Sequence, residues 1–195
     1  MTAAVGVRRL GVSWSRRAAL GLGIAVTSAV GAVAGMNLGV LLVWVVPVVW
    51  AAIEDAHSAR LPDRVTLGGA GVVVAVLSVA AIVEGSWSLL GRAGVGGALL
   101  GGVLMVMHVA SPRGLGFGDV KYGLLVGLGV GVVRSGLTLA VFLSAAVLHI
   151  AVVWWRPWPA QRLPQARPDV APFGPSLAAA SIGSVVVVLV SGGGV

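Results

Sequence analysis

Cysteine is missing from all 195 residues, and with it go disulfides, cysteine-ligated zinc, iron–sulfur clusters and thiol nucleophiles. Charge is almost as scarce. Asp, Glu, Lys and Arg make up 10% of the chain, against about 25% in an ordinary soluble domain. Six acids and three histidines are the whole stock of carboxylate and imidazole chemistry. His57, His108 and His149 are too dispersed to suggest a metal cluster, so neither a metal nor a cofactor is expected. The two histidines within apolar segments, His108 and His149, are expected to hydrogen-bond to neighbouring helices. No run of five basic residues and no basic–aromatic interleaving occurs, so the net charge of +7 does not predict nucleic-acid binding.

Apolar residues are abundant instead. A hydrophobic content of 58% and a mean hydropathy of +1.04 place the chain in the membrane class. Apolar runs lie at about 18–36, 38–54, 65–83, 93–110, 120–133, 137–155 and 174–190. At ~20 residues per crossing, these predict an all-α, polytopic membrane helix bundle of about seven (six to seven) transmembrane helices. Residues 1–17 are read as a basic cytoplasmic segment and 18–195 as a single transmembrane domain. The arginines before the first run and the pattern Ala32-x-Ala34 would also suit a cleaved leader. Because a second run follows at once, the first is read as an ordinary span.

Several local features carry expectations. Pro47 predicts a kink in the second helix. Gly94, Gly97 and Gly101, spaced by three and four, predict a nearly bare helix face for close packing. The run 120–133 is short, which predicts tilt or shelter inside the bundle. With the N-terminus in the cytoplasm, eleven basic residues fall on the cytoplasmic side and only Arg92 and Arg134 on the other. The seven tryptophans lie mostly near run ends, as an interfacial belt requires.

The acids are Glu54, Asp55, Asp63, Glu84, Asp119 and Asp169, and all but Glu84 fall on the cytoplasmic side. Asp55 closes the second run and Asp119 opens the fifth. One helix reaches the interface where the other leaves it, so the two carboxyls can meet at one depth. An ionisable residue at membrane depth is a candidate functional site, and its partner here is the other acid. Two neighbouring carboxyls share one proton, so that one acts as base toward water while the other polarises a carbonyl. They titrate as a unit. Such a pair can hydrolyse a peptide bond. Gly116 and Gly118 flank Phe117 just before Asp119, leaving backbone clearance for an extended substrate. Lys121 does not share a helical face with Asp119, and is read as an interfacial anchor or phosphate contact. Taken singly, Asp119 reads equally well as a helix cap. Asp55 reads singly as an interfacial residue paired with Arg60 or Arg64.

The stretches "EDAHSARLPDRVTL" (54–67) and "GFGDVKYGLLVGLGVG" (116–131) resemble the two aspartate motifs of the prepilin peptidases, or type IV leader peptidases. These are intramembrane aspartyl proteases of the GxGD type. Asp55 with Leu61-Pro62-Asp63 matches the first motif; Gly116, Gly118, Asp119 and Lys121 match the second. "APFGPSLAAA" (171–180) looks like the family's Pro-Phe-Gly-Pro segment, so Pro172, Phe173, Gly174 and Pro175 are candidates for the substrate groove. The resemblance implies Asp55 and Asp119 as the catalytic pair; Asp63 matches a family position beside the proline but is read as loop or helix-capping structure. It implies removal of a basic leader from prepilin or pseudopilin precursors, of the Tad/Flp kind, at the cytoplasmic face of a bacterial inner membrane. Larger members carry a cysteine-bearing region associated with N-methylation, so a peptidase-only form is expected here. Glu54 beside Asp55 is a departure and leaves two acids competing for the inward position. The alternative is a small proton- or cation-coupled transporter using the same carboxylates, although such acids usually sit near the midplane, with internal repeats.

Overall fold

The computed structural model describes residues 36–58, 60–111, 115–155 and 172–191. The basic segment 1–17 and all but the end of the first apolar run lie outside them. So do Trp14, Trp158, Asp169 and most of the arginines counted on the cytoplasmic side.

Six helices run through the described residues: α1 (Met36–Ser58), α2 (Asp63–Glu84), α3 (Ser88–Ala110), α4 (Phe117–Arg134), α5 (Leu137–Trp155) and α6 (Gly174–Val190). The all-α class holds, and no strand occurs among the described residues. Valine is a mediocre helix former in water, yet Val72–Val74 and Val185–Val188 are helical. In a bilayer every backbone polar group must be satisfied within its own segment, which leaves the helix as the available state for such runs. The segments Gly39–Ser58, Asp63–Glu84, Ser88–Ala110 and Leu137–Trp155 are long and apolar enough to cross a membrane. α6 is apolar but shorter, at 17 residues. Gly85, in the left-handed region with φ of 64°, ends α2 and turns the chain into α3.

α4 is the axis of the bundle. It touches each of the other five helices, and from Tyr122 to Val133 every residue except Leu124 is buried. A helix apolar on all sides belongs in a core, which explains why the run 120–133 is short: its neighbours, not lipid, surround it.

The closest approach is between α3 and α4. Gly96, Gly97 and Gly101 of α3 face Gly127, Gly131 and Leu124 of α4. A Cβ on Gly127 would collide with the Gly96 carbonyl, and one on Gly131 would lie 2.5 Å from that of Arg92. Gly97 and Gly101 therefore do what their spacing predicts. Gly94 does not: nothing lies within 4 Å of the position its Cβ would take, and Gly96 stands in the contact instead. The buried face of α3 runs through Ala93, Gly96, Gly97, Leu100 and Leu104, and Gly94 falls off that stripe.

Large apolar side chains point outward, among them Val79, Ile82, Val83, Val106 and Val147. On α5 only Thr138, Val141 and Ala145 are buried. A surface of this kind suits lipid. Trp87, Trp154 and Trp155 are exposed near helix ends, as a belt requires, but Trp44 is fully buried. Its indole occupies the space left by Gly129 of α4, where any Cβ would strike the ring.

Candidate active site

One end of the bundle gathers the C-termini of α1, α3 and α5 and the N-termini of α2, α4 and α6. The buried stripe of α1 reads Val40, Leu41, Trp44, Val48, Ala51 and Asp55, at steps of one, three and four. Asp55 is its last member and is only 5% exposed. That geometry decides between the two adjacent acids: Asp55 faces inward, while Glu54 accepts a hydrogen bond from Trp50 Nε1 at 3.3 Å.

The buried Asp55 carboxylate is held by α6. The backbone N–H of Gly174, the first residue of that helix, donates to Asp55 Oδ2 at 2.9 Å. The positive end of a helix dipole favours a carboxylate there. A Cβ on Gly174 would lie 2.7 Å from that oxygen, so the contact requires glycine. Pro175 occupies the first turn of α6, where a missing N–H costs nothing. Phe173 meets the ring of His149 on α5 edge-on, with centroids 5.2 Å apart.

Asp119 sits in the first turn of α4. Its Oδ2 accepts the Gly116 N–H at 3.0 Å, while its own N–H donates to the Gly116 carbonyl at 3.1 Å. This is the acidic half of a capping box, so the capping reading of Asp119 is partly realised. Capping occupies one oxygen and leaves the other. The charge of Asp55 is felt at Asp119. The two carboxyls thus lie within electrostatic reach, each tied by Oδ2 to a backbone N–H. Among the described residues no hydrogen bond engages Oδ1 of either.

The segments bearing the two acids are also joined directly. Leu61 packs on Gly118, where a Cβ would come within 3.1 Å of it. Lys121 Nζ donates to Asp63 Oδ1 at 2.6 Å and lies 4.9 Å above the Phe117 ring. The family model of the type IV leader peptidases matches residues 40–154, a span that includes all of these contacts and both acids.

The chain belongs to the type IV leader peptidase family.

Membership makes it a protease of the leader-peptidase kind, whose substrates are in general prepilins. No curated protein and no solved structure matches it. The matched span ends before α6, so Gly174 and its hold on Asp55 lie beyond it.

Lys121 is engaged by Asp63 in an ion pair. Asp63 opens α2 but makes no side-chain capping bond; Pro62 precedes it, and the Pro62 carbonyl accepts from Val65 at 2.9 Å. Asp55 forms no ion pair with Arg60 or Arg64 among the described residues, because its side chain turns into the bundle. His108 Nδ1 lies 2.8 Å from the Leu115 carbonyl, and its ring centroid 5.6 Å from that of Phe117. No group of three or more His, Asp or Glu side chains arranged to hold a metal occurs among the described residues.

Proposed function

We propose that the protein is an aspartic endopeptidase that removes basic leaders from prepilin-like precursors, with Asp55 and Asp119 as its catalytic pair. The observation that carries this reading is the convergence of two acids from separate helices at one end of the bundle, each fixed by one backbone N–H. In the reaction, the charged member takes a proton from a water while that water's oxygen attacks the scissile carbonyl carbon. The protonated member gives its proton to the carbonyl oxygen, producing a gem-diol. Collapse of the gem-diol breaks the C–N bond, with the leaving nitrogen protonated and one proton returned to the pair.

The position of the site supports cleavage beside the membrane rather than at its centre. Both acids lie at helix termini, where a leader in water and an apolar segment in lipid would meet. Arg60, Arg64 and Lys121 share that end, and Arg92 and Arg134 occupy the other; with the basic N-terminal segment this favours a cytoplasmic orientation in the inner membrane. Pro172, two residues before Gly174, is buried, which supports a role for the Pro172–Pro175 segment in shaping the site rather than only lining a groove.

The test is leader cleavage by Asp55→Asn and Asp119→Asn, with a precursor that carries a basic leader ending in glycine ahead of an apolar helix. Both variants keep the shape of the side chain and its place in the membrane. Each is expected to lose cleavage to background, and measurable turnover by either removes the catalytic assignment.

A further inference from the structure

The two helices that carry Asp55 and Asp119 run antiparallel, and the depth at which their carboxyls meet depends on how far one slides along the other. Sliding matters here. One residue of slip is ~1.5 Å along the axis, and a misplacement of about 1 Å at reacting groups costs on the order of 100-fold in rate. Between α1 and α4, however, two polar links cross. Trp44 Nε1 donates to the Leu125 carbonyl at 2.9 Å, and Tyr122 Oη donates to the Val48 carbonyl at 2.9 Å. Both aromatic side chains are fully buried.

One link is donated by each helix, so the register is held at two points along the contact. Trp44 and Val48 share the face of Asp55, and Tyr122 lies one turn beyond Asp119. On α1, Trp44, Val48 and Asp55 fall at steps of four and seven; on α4, Asp119, Tyr122 and Leu125 fall at steps of three. Each acceptor is a helix carbonyl with a second lone pair to offer beside its own ladder bond. The seats are shaped for the fit: Gly129 makes room for the indole, and Pro47, beside Val48, lodges on Gly69 of α2, whose Cβ would come within 2.6 Å of it. Tyr122 is the chain's only tyrosine.

We propose that Tyr122 and Trp44 are positioning residues that lock the register of α1 against α4 and thereby set the separation of the Asp55 and Asp119 carboxyls. This rests on the proposed catalytic pair, but the register lock itself is a property of the two helices and is measurable without activity.

The variants are Tyr122→Phe and Trp44→Phe. Each removes a donor, leaves the acceptor its ladder bond, and keeps an aromatic ring in the core. The chain lacks cysteine, so spin labels at Ile53→Cys on α1 and Phe117→Cys on α4 report the inter-helix distance in full-length protein. Each Phe variant is expected to fold, to broaden or shift that distance, and to lower kcat per folded molecule by about 10- to 100-fold with KM within about twofold. The double variant should lose more than either single one. A merely structural role would lower the yield of folded protein and leave kcat per folded molecule and the label distance unchanged; that result overturns the proposal. If Asp55→Asn or Asp119→Asn still cleaves, the catalytic pair falls, and the label distance alone decides the register lock: an unaltered distribution in both Phe variants rejects it.

Discussion

α4 meets its neighbours in two opposite ways. Toward α3 it presents mostly backbone, with Gly127 and Gly131 set against Gly96 and the side chains of Leu104, Leu124 and Leu128 packed around that contact. Toward α1 it presents a tyrosine and receives a tryptophan, each hydrogen-bonded to the other helix's carbonyl. The first contact is close and carries no side-chain hydrogen bond between the two helices among the described residues. The second is less intimate but has a fixed step. The bundle's compactness comes from one side of α4 and the alignment of its acids from the other.

That contrast can be broken from the glycine side first. Gly127→Leu drives a side chain into the Gly96 backbone, which cannot rotate away. No folded, monodisperse protein is expected from the membrane fraction after detergent extraction. On the aromatic side, by comparison, the phenylalanine variants should fold and fail in rate. A folded Gly127→Leu protein with normal cleavage would show that the α3–α4 contact is not what compacts the bundle.

Gly174→Ala comes next. Its methyl group would press on Asp55 Oδ2 from 2.7 Å and push the carboxyl from its N–H donor. Cleavage by folded protein should drop on the order of 100-fold, read as initial rate on a leader-bearing precursor. Lys121→Met should do far less. The ion pair with Asp63 is partly exposed on the Lys side and largely exposed on the Asp side, and such pairs contribute about 0–1 kcal/mol. The expected result is a small fall in unfolding midpoint, checked by thermal denaturation in detergent. Smallest of all is Gly94→Ala, where the added methyl meets nothing within 4 Å. Yield and cleavage should match the parent protein, in contrast to Gly127.

Sequence reading reached the helical class, the runs that become α1 to α6 and the end of the bundle where the acids gather. Composition and the length of apolar runs carry those properties locally. It placed Gly97 and Gly101 correctly and Gly94 wrongly, since a spacing of three or four fits more than one stripe and only the partner helix chooses among them. It left Glu54 and Asp55 in competition, because one residue of helix turns a side chain by about 100° and the direction of the core is not written in the local sequence. Gly174 as the donor to Asp55 was out of reach, since that bond joins residues distant in sequence through a backbone N–H that any residue possesses. Trp44 misled by type: tryptophan favours interfaces, and its burial depends on a gap that Gly129 supplies on another helix. The one available signal was the period linking Trp44, Val48 and Asp55.

The most direct test of convergence uses the absence of cysteine. Asp55→Cys with Asp119→Cys, treated in native membranes with a short bifunctional thiol reagent, should cross-link efficiently within one chain. Glu84→Cys with Asp119→Cys places one thiol at the far end of the bundle and should not. Efficient cross-linking of the first pair alone is the predicted result. Failure of that pair, or equal yields from both, would contradict the meeting of the two acids on which the proposed catalysis depends.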